Sequence, residues 1–85
     1  MNKKQLRQRI LDVAAGVGMG VCEYEDRCMW EWHDDAAVDL QKLVQGLRRA
    51  FSLENDCFLV HINFLDDYKD PETLVDFFWR NRGEL

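Results

Sequence analysis

Cys22, Cys28, His33, Cys57 and His61 are the side chains of this sequence whose types could bind zinc or pair as nucleophile and base. A structural zinc site takes four such ligands and commonly includes two cysteines separated by two to four residues. No cysteine pair here has that spacing, so a metal site requires a fold that gathers distant ligands. Cys57 with His61, or Cys28 with His33, also supplies the partners of a thiolate nucleophile. On an extended strand, however, four residues span about 13 Å, beyond the hydrogen bond by which a base activates a thiol. Ser52 is the single serine and has no evident base nearby. The pairs Asp34–Asp35 and Asp66–Asp67 point to opposite sides if extended, which suits caps and turns rather than a shared proton. Gly16, Gly18 and Gly20 lack the lysine and hydroxyl residue of a phosphate loop and lie where a helix should end. No set of residues forms a complete catalytic constellation, and the expectation is a protein without enzymatic activity or cofactor.

The elements that would position these residues follow from apolar spacing. Leu6, Ile10, Val13, Ala14 and Val17 recur at helical spacing and predict a first amphipathic helix. From Cys22 to Trp32 apolar and polar residues alternate, the period of a half-buried strand. Cys22, Tyr24, Cys28, Trp30 and Trp32 share one parity, while Glu23, Glu25, Arg27, Glu31 and His33 share the other. A hairpin with a three-residue loop, Glu25–Asp26–Arg27, would pair Tyr24 with Cys28 and Cys22 with Trp30 and keep one face apolar. A single long strand bulged at Asp26 is the alternative. Asp34 and Asp35 then precede a second helix with the apolar stripe Ala37, Leu40, Leu43, Val44, Leu47 and Phe51. Its wet side is Asp39, Gln41, Lys42, Gln45, Arg48 and Arg49. Phe58 to Phe64, rich in aromatic and branched residues, reads as a buried central strand. Asp70–Pro71–Glu72 starts a last helix, with the cap just before a proline at the first helical position. The expected fold is therefore α+β, one domain over residues 1–85: a small three-stranded sheet with helices mainly on one face, in the order α-β-β-α-β-α.

The 85 residues suffice for a single core, whose expected stability is roughly 4–13 kcal/mol. A deep active site would remove much of so small a core, which favours a surface-binding role. The net charge of −5 is unevenly spread: Lys3, Lys4, Arg7 and Arg9 make the first eleven residues +4, and the rest of the chain carries −9. Such a surface repels nucleic acid and attracts basic protein surfaces; the basic start is expected to be the solvated face of the first helix. Three cysteines are an odd number and too few for a disulfide scaffold, which fits a reducing cytoplasm. The opening is polar, unlike a signal peptide, and no stretch has the length of a membrane span.

The candidate contact residues are the acids Glu23, Glu25, Glu31, Asp66 and Asp67 together with Trp30 and Trp32, where a tryptophan at the rim of a small sheet would serve as an anchor. Trp79, on the last helix, is a further aromatic on this reckoning. The predicted role is an adaptor or inhibitor that engages a basic protein surface, such as that of a nucleic-acid-binding protein. Small phage-encoded and immunity-type inhibitors are similar in composition.

The order of first helix, long connection, Ala37–Phe51 helix and Asp70–Trp79 helix also resembles the acyl carrier proteins. That resemblance implies an all-α bundle as the alternative fold, with a serine bearing phosphopantetheine at the start of the second helix. The matching position is Ala37, or Ala36 in a poorer register, and neither can carry the group. Arg48 and Arg49 also depart from the acidic second-helix surface of that family.

Overall fold

The computed structural model describes residues 1–31, 36–62 and 69–85, and within them the backbone forms three α-helices and one antiparallel hairpin. Helix α1 spans Lys3–Gly16, strands β1 and β2 span Gly20–Tyr24 and Arg27–Glu31, and helices α2 and α3 span Ala36–Ala50 and Pro71–Arg80. Short 3-10 turns occupy Phe58–His61 and Arg82–Glu84. The fold is thus α+β, as expected, rather than the all-helical bundle of a carrier protein.

Local chemistry fixes the helix ends. Asn2 caps α1 reciprocally: the Asn2 Oδ1 accepts from the Gln5 amide at 2.8 Å, and the Gln5 Oε1 accepts from the Asn2 amide at 3.0 Å. At the other end Gly18, at φ +86°, donates to Ala15 O and the Met19 amide to Ala14 O, which closes a left-handed cap over a buried methionine. The same closure ends α2, where Ser52 adopts φ +55° and the Leu53 amide donates to Arg48 O at 2.8 Å. The single serine therefore serves a turn. Asp70 caps α3 as its sequence announced, accepting from the Thr73 amide at 2.7 Å with Pro71 in the first turn.

One core joins these elements. Leu6, Ile10 and Ala14 of α1 meet Leu40, Leu43 and Leu47 of α2 and Leu74, Val75, Phe77 and Phe78 of α3. Gly46 permits the closest approach: a Cβ there would stand 3.0 Å from Val17 Cγ1 and 3.1 Å from Val13 Cγ1. Phe58 packs edge-on against Phe78 with ring centroids 5.0 Å apart, and Phe51 meets Phe78 at 5.4 Å. Two ion pairs clasp α1 to α3. Lys3 Nζ reaches Asp76 Oδ1 at 2.6 Å and Arg7 Nε reaches Glu72 Oε1 at 2.7 Å, so basic and acidic residues four apart meet on antiparallel helices. All four side chains are substantially exposed, and each pair contributes only about 0.2–1 kcal/mol. The basic start of the chain is therefore partly neutralised, not simply solvated.

Three expectations are corrected. The third strand is absent over Phe58–His61, where a 3-10 turn forms with Val60 donating to Cys57 O; residues 63 and 64 lie outside the described set. Cys57, Phe58 and Leu59 are consecutively buried and Val60 is 49% exposed, so the turn aims its first side chains at the core and Val60 at solvent. The hairpin loop has two residues, not three: Tyr24 pairs with Arg27, Glu23 with Cys28, Cys22 with Met29 and Val21 with Trp30. Finally, Asp39 leaves the wet side of α2 and is buried, whereas Ala37 is exposed.

The two-residue loop holds Glu25 at φ 49° and Asp26 at φ 63°, the conformation that asparagine and glycine adopt at least cost. Replacing the pair as E25N/D26G should stabilise the protein by about 1 kcal/mol, since glycine removes a Cβ from one left-handed position and asparagine tolerates the other better than glutamate. A raised urea midpoint with an unchanged slope is the expected measurement, and an unchanged midpoint would refute the turn geometry.

Candidate acidic hairpin surface

Cross-strand partners share a face, so the observed register divides the hairpin into an inner side bearing Trp30 and Cys28 and an outer side bearing Cys22 and Met29. Trp30 is 4% exposed and belongs to the core, which removes it from the surface anchors; its indole attaches the hairpin to the helices. Glu23, Glu25, Asp26, Arg27 and Glu31 are exposed. Two large apolar side chains are also open to solvent, Met29 at 39% beside Glu31 on the outer side and Val21 at 36% beside Glu23 on the inner side. Of the candidate contact residues, Glu23, Glu25 and Glu31 thus gather on one exposed ribbon. Trp32, Asp66 and Asp67 lie outside the described residues, as does His33. Trp79 is half-buried, and the Arg82 guanidinium sits 4.4 Å from its ring centroid.

A crevice of about 430 Å³ opens where the hairpin meets α1 and α3, lined by Arg7, Glu23, Asp26, Arg27, Cys28 and Glu72. Its charges are largely spoken for: Arg7 is held by Glu72, and that hydrogen bond raises the guanidinium pKa above its ordinary value. Burial pushes the Cys28 thiol up, against the lowering effect of Arg7, and the carboxylates of Glu72 and Glu23 push it further up. The thiolate is the nucleophilic form, so this cysteine is muted rather than activated. Alkylation of Cys28 at pH 8, followed by peptide mass spectrometry, should be slower than alkylation of the same cysteine in the urea-unfolded chain. Equal rates would contradict its placement. Because the folded-state value is raised, the associated stability is complete below the ordinary thiol range and is lost as the pH climbs through the raised value.

The other residues of chemical interest do not converge. Cys22 and Cys28 are free thiols on opposite hairpin faces, and Cys57 is buried at the start of the 3-10 turn with His61 exposed at its end. Among the described residues no three His, Cys, Asp or Glu side chains form a group able to hold a metal ion, and no helix is long and apolar enough to cross a membrane. Sequence reasoning missed Met29 and Asp26 as members of the acidic surface. It also missed the clasp of Lys3 and Arg7 to Asp76 and Glu72, although the matching four-residue spacing of opposite charges was the available signal.

Comparison with known proteins finds no matching family model, no matching curated relative and no matching solved structure.

Proposed function

We propose that the protein is a non-enzymatic binding module, an adaptor or inhibitor, which presents its acidic hairpin to a basic surface on a protein partner. The observation that carries this reading is the exposed set Glu23, Glu25, Asp26 and Glu31 on one hairpin, with the solvent-open side chain of Met29 beside Glu31 on its outer side. Apolar and charged side chains next to one another on an exposed face are common in transient protein interfaces. The net charge of −5 favours a basic partner and opposes direct contact with nucleic acid. A partner whose basic surface otherwise binds nucleic acid would be blocked by occupation of that surface.

Capture of partners from the native cell, identified by mass spectrometry, supplies the protein for the decisive measurement. The triple reversal E23K/E25K/E31K should slow association with that partner by about 10-fold or more at low ionic strength, because opposed charge fields steer encounter. The wild-type rate should fall steeply as salt is added, while the reversed variant should respond weakly. An association rate that ignores both salt and the three reversals would eliminate the hairpin as the contact surface.

A further inference from the structure

Arg7 and Arg9 stand two residues apart on α1, about 200° around the helix, and they mark two flanks of opposite charge. On the Arg7 side lies the hairpin, whose tight two-residue loop carries the acids Glu25 and Asp26, both exposed. On the Arg9 side, α1 meets the C-terminal end of α2. There Arg9 donates from Nη2 to Ala50 O, and its guanidinium stands 4.4 Å from the centroid of the Phe51 ring. Arg82 is held in a similar way: Nη1 donates to Trp79 O at 2.8 Å, and the guanidinium lies 4.4 Å from the Trp79 ring centroid. Arg9, Phe51 and Arg82, with Met1, Ser52 and Leu85 beside them, line a groove of about 270 Å³. Both charged side chains of that groove are cations, and each is oriented in advance by an aromatic ring and a carbonyl.

We infer that the acidic hairpin tip of one copy docks in the arginine groove of a second copy. The inference rests on the reading of the hairpin as the binding element, and it adds a ligand that the chain itself supplies. Two carboxylates meet two arginines, the pairing for which a guanidinium fork is best suited. Tip and groove lie on opposite flanks of α1, so the contact joins different patches of two copies and leaves a free tip and a free groove at the ends. Such a heterologous contact extends into chains unless its rotation closes a ring. A tip of this size covers well under the roughly 800 Å² per partner of a stable interface, so the association is weak and electrostatic.

Sedimentation velocity on the full chain over a concentration series tests the proposal. In about 0.01 M salt, where the Debye length is about 30 Å, the weight-average mass should rise with concentration above the monomer's 10.1 kDa. In about 1 M salt, where that length is about 3 Å, it should return to the monomer. E25Q/D26N and R9Q/R82Q should each stay monomeric alone, and their equimolar mixture should form a 1:1 dimer that grows no further, since it holds one intact tip and one intact groove. If R9Q/R82Q fails to fold, the tip variant decides alone, because its residues lie on an exposed loop. A wild-type chain that is monomeric at every concentration in low salt overturns the inference, as does assembly that persists in E25Q/D26N. A monomeric wild-type chain that still shows charge-dependent capture of a basic partner overturns self-association only. Salt-dependent self-association beside charge-independent partner capture overturns only the partner reading.

Discussion

Phe78→Ala should remove about 3–5 kcal/mol of stability, the usual cost of emptying a buried phenylalanine site. The ring is fully buried and is the meeting point of Phe51, at 5.4 Å, and Phe58, at 5.0 Å and nearly perpendicular. It therefore ties together the end of α2, the 3-10 turn and α3, the last two being joined also by Phe58 and Phe77 at 5.5 Å. Against an expected total of roughly 4–13 kcal/mol for a chain of this length, the loss leaves the variant marginal or unfolded at 37 °C. Each kcal/mol corresponds to roughly 4–8 °C in the melting temperature of so small a domain, so the shift is easily read. Phe78→Leu retains most of the volume and should lose far less. A Phe78→Ala melt that overlays the wild type would show that the three rings do not form this core.

The second large effect is expected at Trp30, where sequence and structure assign different roles. An anchor at the rim would, when removed, weaken partner binding and leave the fold alone. At 4% exposure on the inner face of β2, Trp30→Ala should instead cost about 3–5 kcal/mol. The loss should be concentrated in the hairpin, because among the described residues of the ribbon Trp30 alone joins the core. Hydrogen exchange provides the local readout: the cross-strand amides of Cys22, Arg27 and Met29 should lose protection ahead of those in α1 and α3. Full hairpin protection in a stable Trp30→Ala protein would place the attachment elsewhere.

The helices were legible because their signals are local. Asp70 before Pro71 announces a start, and the run Leu6, Ile10, Ala14 announces a buried stripe, without reference to anything distant. Alternation from Cys22 onward announced a ribbon, but its register was not legible. The three-residue loop followed from requiring one uniformly apolar face, whereas a two-stranded ribbon on three helices buries Trp30 and leaves Met29 outside. The left-handed pair Glu25–Asp26 replaces the glycine that such a loop usually announces. Phe58–His61 failed for a related reason. Branched and aromatic residues favour strands only where a neighbour strand and a pleated surface receive them, and here three consecutive side chains fill a gap between helices. The acidic candidates Glu23, Glu25 and Glu31 were legible as charges on alternate positions. The muting of Cys28 was not, since it depends on Arg7 and Glu72 arriving from opposite ends of the chain.

The clasp of Arg7 to Glu72 joins residues separated by 65 positions. During synthesis the first helix must therefore remain without its partner until the last one has been made. At about 5–20 residues per second that wait is roughly 3–13 s. Throughout it the Leu6–Ile10–Ala14 stripe has only α2 and the emerging hairpin for cover. Synthesis of α3 supplies Leu74, Val75, Phe77 and Phe78, and a ribosome stalled before it would leave open the faces of α1 and α2 that those side chains cover.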